Sequence, residues 1–249
     1  ALAAGRSGGL WTPASRTRRA RGSEGLYPHF LLDRAKPGLI AVDCAGRRFV
    51  NEGCSYHDFV EAMFEAHKRS PAIPAWLVCT EAFVRAYGLG AIYPGTRSLE
   101  RYERQGLLVL AGSLEELARK TGIDAAGLAS TLRRYNEHAA RGEDPDFHKG
   151  STVLNRFNGD PAAPHHCLAP IARPPFVAQA VWPADISVST GLATDADARV
   201  LDAAGAPIAG LYACGNDMAS IFAGTYPGPG TTLGPAVTFG YRAAMHAAR

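Results

Sequence analysis

The stretch 198–249, ARVLDAAGAPIAGLYACGNDMASIFAGTYPGPGTTLGPAVTFGYRAAMHAAR, decides how this chain is read. Its first part, ARVLDAAGAPIAGLYACGN, reads as two strands about a turn at Ala203-Ala204-Gly205. Its last part, GPAVTFGYRAAMHAAR, reads as a helix, with Pro235 near the first turn, where a missing N–H costs nothing. Between them lies Gly224-Thr225-Tyr226-Pro227-Gly228-Pro229-Gly230-Thr231-Thr232-Leu233-Gly234-Pro235. Two prolines fix φ there, while the glycines let backbone approach a ligand closely. The turn feeds a helix N-terminus, whose free amides and positive dipole end suit an anion or an electron-rich ring. A Tyr226 phenol beside a backbone N–H such as that of Gly230 makes an oxyanion hole for a carbonyl becoming an enolate. The competing reading is a tight connection on which Tyr226 merely packs.

Upstream, PGLIAVDCAGRRFV (37–50) alternates about a Cys44-Ala45-Gly46 turn and predicts a β-hairpin. The next residues change period. Phe59, Val60, Met63, Phe64 and His67 fall at helical spacing, so a helix starts near Tyr56 to Asp58. Ser113 and Glu116 have capping-box spacing, Thr121-Gly122 stops that helix, and Asp124 caps another carrying Leu128, Leu132 and Tyr135. Gly142 to Pro164 is read as a long surface loop. Strands are expected in PPFVAQAVWP (174–183) and ISVSTGLATD (186–195). The opening ALAAGRSGGLWTPAS carries neither a strand nor a helix signal, and Ala1 in place of Met suggests a processed or incomplete start.

Composition narrows the function class. The chain has 249 residues, 47% hydrophobic and 20% charged, which is globular. A net charge of +3 set against 23 acidic residues argues against nucleic acid as a partner. Arg16, Arg18, Arg19 and Arg21 read as a solvated loop rather than a phosphate site. Five cysteines without a C-x-x-C pair read as reduced thiols of a cytoplasmic protein. There is no apolar run of the ~18 residues a membrane span needs, and no signal peptide is expected.

Other motifs are weaker. Gly228-Pro229-Gly230 is not a dinucleotide fingerprint, because a proline separates the glycines and the third glycine is displaced. His165-His166-Cys167 reads as a loop, since adjacent residues rarely converge on one ion; no metal is expected. His57 and Asp58 are helix neighbours whose side chains point apart. Ser187, Ser189 and Thr190 lack the G-x-S-x-G elbow of a nucleophile.

The segment GLYACGNDMASIFAGTYPGPGTTLGPAVTFGYRAA resembles the terminal motif of 3-ketosteroid dehydrogenases, within the fumarate reductase and succinate dehydrogenase flavoprotein superfamily. PGLIAVDCAGRRFVNEGCSYHDFV resembles the family's substrate-domain segment, with a tyrosine shortly after G-x-R-F-x-N-E. STGLATDADARVLDAAGAPIAGLYACGN resembles the return from substrate domain to flavin-binding sheet. The resemblance implies an α/β (α+β) fold: a substrate or cap domain at 1–180, then the C-terminal part of a Rossmann-like FAD-binding domain at 181–249. The N-terminal βαβ unit is expected to be missing.

The same resemblance implies roles. Tyr226 and the Gly230 N–H hold a ketone oxygen, Tyr56 removes the neighbouring proton, and hydride passes to FAD. A second tyrosine that assists in the family lies in its N-terminal half, outside this chain. Gly215, Asn216 and Asp217 approach the ribityl and phosphate side of FAD, with the acid one place later than in many relatives. Thr231, Thr232, Leu233, Gly234 and Val237 belong to the turn and helix start that place amides near the flavin's pyrimidine edge. The implied partners are a steroid or other bulky cyclic ketone and an electron acceptor.

Two alternatives stay open. A dicarboxylate-reducing flavoprotein like fumarate reductase would need an arginine acid, for which Arg48 and Arg173 are the candidates, though neither lies in that family's threonine-glycine-glycine setting. A non-catalytic flavoprotein fragment or subunit would need a separate N-terminal chain.

Overall fold

The computed structural model describes residues 8–18, 22–30 and 32–249. The chain divides into two compact units. One is Thr12–Ala184; the other is Asp185–Arg249 together with the chain's start up to Trp11. The mixed helix-and-strand composition agrees with the expected α/β class.

The larger unit is built on a mixed-order sheet. Its strands are β1 (Gly9–Arg18), β2 (Glu24–Pro28), β3 (Ile40–Val42), β4 (Ala75–Thr80), β5 (Val109–Ala111) and β6 (Phe176–Val188), in the order β2-β1-β6-β4-β3 with β5 also on β6. β4 runs antiparallel to both neighbours, Val78 facing Ile40 on one side and Ala178 on the other. Its helices are α1 (Tyr56–His67), α2 (Glu81–Tyr87), α3 (Glu100–Arg104), α4 (Leu114–Thr121), α5 (Ala125–Ala139) and α6 (Val153–Asn158).

Local chemistry starts these helices. Ser55 caps α1 by accepting the Asp58 N–H at 3.1 Å, and α1 then buries Tyr56, Phe59, Val60, Met63 and Ala66. Ser113 accepts the Glu116 N–H, while the Glu116 carboxylate reaches back to Gly112 rather than to Ser113. Gly122 ends α4 in the left-handed conformation, and Asp124 caps α5 through Gly127 N–H at 2.6 Å. Leu117, Leu128, Leu132 and Tyr135 then close over Ile40, Val42, Val78 and Phe176 to form one core. The three leucines, each stabilising by ~1.5–3 kcal/mol on full burial, fix the helix pair on the sheet.

Four expectations change. The 37–50 hairpin is reduced: Asp43 to Arg47 close the turn by backbone hydrogen bonds, but the return arm makes only a Val42–Arg48 bridge. The chain's beginning supplies β1, so Arg16 and Arg18 are exposed on a strand, not a loop; Arg19 and Arg21 lie outside the described residues. β6 is one long strand through Val188, joining what read as two regions. Finally, 142–164 is no simple surface loop. It contains α6 and buries Asp144, Lys149 and Asn155.

Those buried groups are paired. Arg48 donates two bonds to Asp144, at 2.7 and 2.9 Å, and two to Glu52, both at 2.9 Å. Lys149 Nζ lies 3.7 Å from Glu52 and donates to the Leu39 carbonyl at 2.7 Å. Two cations thus meet two carboxylates, the condition under which buried charge is tolerated.

The smaller unit holds β7 (Arg199–Leu201) paired antiparallel with β8 (Pro207–Tyr212), a 3-10 turn at Gly215–Asp217 and α7 (Leu233–Ala247). Val200, Ala213 and Met218 form its small core, with Phe239 of α7 packed on it. No helix among the described residues is long and apolar enough to cross a membrane. All five cysteines are free.

Candidate functional site

In the smaller unit, β8 delivers the chain to Ala213-Cys214 and then to the Gly215–Asp217 turn. Gly215 has φ 64°, and a Cβ on it would meet the Cβ of Ala236 at 3.3 Å, so this strand end lies against the first turn of α7. Asn216 hydrogen-bonds Ser187 at 3.0 Å, and the Asp217 carbonyl accepts the Leu192 N–H at 2.8 Å. The Asp217 side chain is exposed.

The Tyr226 turn leads into α7. Thr225 caps back onto the Phe222 carbonyl, and Tyr226 itself is half-buried. Gly230 takes φ 95°, open to glycine but strained for other residues, and its carbonyl accepts the Gly234 N–H at 2.8 Å. Thr231 is buried, its hydroxyl on the Gly228 carbonyl. Thr232 caps α7 without a side-chain hydrogen bond, which leaves the helix N-terminus to other acceptors. A groove of about 520 Å³ runs along Pro227 to Thr231, Phe222 and Phe239. A narrow cleft beside it is lined by Gly215, Asn216, Thr231, Thr232 and Pro235. The turn and α7 thus gather Gly230 to Pro235, and the cleft joins them to Gly215 and Asn216. Leu233 and Val237 differ: their side chains are 68% and 65% exposed.

In the larger unit, Tyr56 is the first residue of α1 and is 5% exposed. Its ring meets that of Phe30 edge to face, centroids 4.9 Å apart. Phe30 also lines a cavity of about 230 Å³ with Tyr27, Leu32, Tyr87 and Tyr93. Such an aromatic wall suits a flat apolar ring system. Burial and the Asp160 carboxylate, which accepts the Tyr87 hydroxyl at 2.7 Å, push the Tyr87 phenol up to about 12. Sequence reading missed Phe30 and this cavity; its only local sign was the aromatic run Tyr27, His29, Phe30.

The two arginines weighed for a dicarboxylate site are otherwise placed. Arg48 is held by Glu52 and Asp144, and Arg173 is exposed. No group of His, Cys, Asp and Glu among the described residues is arranged to hold a metal, and His165, His166 and Cys167 line a separate surface groove.

A glycine-proline turn entering a helix N-terminus, beside a strand end that turns at glycine, offers free backbone amides to an electron-rich group. Residues 7–233 match the family described as FAD binding domain, and the chain belongs to that family. It is 40% identical, over 97% of its length, to 4-oxocyclohex-2-ene-1-carboxylate 5-dehydrogenase of Sinomonas cyclohexanicum. It is 40% identical, over 89% of its length, to 3-oxosteroid 1-dehydrogenase of Mycobacterium tuberculosis. Among solved structures, 3-ketosteroid delta1-dehydrogenase from Sterolibacterium denitrificans in complex with 1,4-androstadiene-3,17-dione superposes with a TM-score of 0.89 and 41% identity over 97% of this chain. The chain spans 41%, 40% and 43% of those three proteins.

The residues fit the family's cofactor. Beyond its own chain neighbours, nothing among the described residues comes within 4 Å of a Cβ built at Gly228, Gly230 or Gly234, so the turn presents open backbone that a flat ring can approach closely. The 15-residue α7 supplies the helix N-terminus.

Proposed function

We propose that this chain is the substrate-handling and flavin-contacting part of an FAD-dependent dehydrogenase that removes two hydrogens beside a ring ketone. The reading rests above all on likeness over nearly the whole chain to enzymes whose names share an oxo-substituted ring and a dehydrogenation of that ring. The substrate class is accordingly a cyclic ketone, a steroid or a smaller ring.

Bound FAD supplies the two-electron acceptor. Gly215, Asn216, Asp217, Thr231, Thr232, Leu233, Gly234 and Val237 are the candidate contacts, with the α7 N-terminus favouring the electron-rich reduced ring. The Tyr226 hydroxyl and Gly230 N–H hold the ketone oxygen and favour the enolate over the ketone. Tyr56, as phenolate, takes the proton from the carbon beside that ketone, which is acidic only while the oxygen is held. An electron acceptor completes turnover.

The exposed faces of the smaller unit bear on how it works. On α7, Leu233, Val237, Tyr241 and Met245 repeat every fourth residue and are 68%, 65%, 67% and 47% exposed. Ile208 and Leu211 of β8 are 40% and 44% exposed. Such a stripe on a helix with no buried residue is a face built to be covered. Because the chain spans only 41% and 40% of its curated relatives' length, the proposed cover is the nucleotide-binding half that the family resemblance implies.

The test is visible absorption with added FAD, alone and with a relative's nucleotide-binding half, then anaerobic addition of a 3-ketosteroid or an oxocyclohexene carboxylate. Bleaching lost in Tyr56→Phe and Tyr226→Phe supports the assignment. Bleaching unchanged in both variants overturns it.

A further inference from the structure

Behind the Phe30–Tyr56 contact lies a buried polar cluster that the proposed chemistry does not use. Ser15 of β1 is 0% exposed, His29 1%, Asp33 6% and Arg34 0%. His29 Nδ1 lies 2.5 Å from Asp33 Oδ2, and its Nε2 lies 2.8 Å from Ser15 Oγ. The serine, histidine and aspartate order is that of a hydrolase triad, but with Ser15 fully buried it has no route to a substrate. Its geometry serves another purpose.

His29 is fixed on every side. Its backbone N–H donates to the Pro13 carbonyl at 2.8 Å, and Asp33 Oδ2 also accepts the Gly90 N–H at 3.0 Å. Gly90 has φ 56°, and a Cβ there would sit 2.9 Å from the His29 ring, so the loop closes flat against the imidazole. Burial pushes the Asp33 carboxyl up, but the charge and hydrogen bond of His29 and the Gly90 N–H together hold it well below the usual carboxylate range.

Arg34 joins this cluster to Tyr56. Its guanidinium donates to the carbonyls of His29 (2.9 Å) and Phe30, and from its other edge to those of Glu52 (2.6 Å) and Cys54 (3.3 Å). It lies over the Phe59 ring at 4.8 Å. One planar cation thus ties the segment bearing Phe30 to the segment that ends, two residues after Cys54, at Tyr56. A guanidinium presents several donors in a fixed plane, which a lysine cannot do.

We infer that Ser15, His29, Asp33 and Arg34 are positioning residues that lock the Phe30 and Tyr56 rings together and so set the direction of the Tyr56 phenol. The inference rests on the proposed role of Tyr56 for its catalytic meaning, not for its geometry. A serine-anchored His–Asp pair holds one segment to β1, and Arg34 carries that placement across to α1.

The experiment places 3-fluorotyrosine at position 56 of this chain and records its 19F resonance. Ser15→Ala, Asp33→Asn and Arg34→Lys are compared with Leu132→Ala, which weakens the α4–α5 core without touching this cluster. Displacement or broadening of the resonance beyond its linewidth in the three cluster variants, but not in Leu132→Ala, is expected. Ser15→Ala removes only one hydroxyl and guards against global unfolding in the others. An unmoved resonance in folded cluster variants overturns the inference, as does an equal displacement in Leu132→Ala. If Tyr56→Phe keeps full bleaching while the resonance still responds, the role of Tyr56 fails and the positioning stands.

Discussion

Arg48 and Asp144, 96 residues apart, meet through two parallel hydrogen bonds of 2.7 and 2.9 Å, with side chains only 4% and 2% exposed. The other side of the guanidinium is filled by Glu52, whose carboxylate also accepts the Ala41 N–H at 3.1 Å. The hairpin turn, the start of α1 and the 142–164 segment therefore share one electrostatic knot.

Removing one member should leave a buried charge unmatched. Asp144→Asn is expected to destabilise the larger unit by about 3–5 kcal/mol near neutral pH, read by urea unfolding. The pH dependence has a definite sign. Burial raises the Asp144 carboxyl, yet hydrogen bonding and charge from Arg48 and the Lys149 N–H lower it further, so its folded value lies below the ordinary one. A depressed carboxylate stabilises above the unfolded value of about 3.9, and that contribution is lost as pH falls through the folded value. Wild type should therefore lose more stability than Asp144→Asn on acidification below about pH 4. Equal slopes would show that Asp144 does not act as a buried anion.

A second prediction concerns backbone approach. A Cβ at Gly127 would lie 2.0 Å from the Ala45 carbonyl oxygen, and one at Gly46 would lie 2.3 Å from the Leu128 nitrogen. The 43–47 turn thus sits directly on the first turn of α5, joined by Asp124 N–H to the Cys44 carbonyl at 2.8 Å. Gly127→Ala normally favours a helix, by ~1 kcal/mol. Here overpacking should win, with a net loss of about 1–3 kcal/mol. A thermal melt that rises instead would mean the turn moves aside freely.

What the sequence made legible was local. Ser113 and Asp124 start helices because a polar side chain three residues before an N–H is a short-range device, and the chain itself displays it. The strands about Ala203-Ala204-Gly205 were legible for the same reason. β1 was not: Pro13 interrupts its pattern and Arg16 and Arg18 make its end look solvated, so it is a strand through its pairing with β2 and its place beside β6. The buried face of 142–164 was equally hidden, since a Pro-, Gly- and Asp-rich run reads as loop until Asp144 finds Arg48. In the candidate site, the Tyr226 turn stood out by composition. Phe30 and the His29–Asp33 pair did not, because their meaning comes from Tyr56, Ser15 and Gly90, all distant in sequence.

The proposed proton abstraction yields a kinetic prediction. Tyr56→Phe removes only the hydroxyl and keeps the ring that packs on Phe30. In the flavin-loaded protein, turnover of a ring ketone should fall by about 10²–10⁴-fold, the usual contribution of a positioned general base. Stopped-flow flavin reduction would measure it. A rise in KM alone, with the reduction rate intact, would assign Tyr56 to binding.

The α7 stripe gives the last prediction. If Leu233, Val237, Tyr241 and Met245 are covered by a nucleotide-binding half, a charge at the centre of the stripe should abolish that association. Leaving the charge in water keeps the free chain folded, because Val237 is 65% exposed and its substitution removes no internal packing. Val237→Glu should therefore melt like wild type alone yet fail to bind a relative's nucleotide-binding half in sedimentation velocity. Burying an unpaired carboxylate in an apolar interface costs several kcal/mol, about a thousandfold or more in affinity. Undiminished binding by Val237→Glu would place that half elsewhere on the chain. Sedimentation of wild type as a dimer that Val237→Glu dissolves would instead show the stripe covered by a second copy.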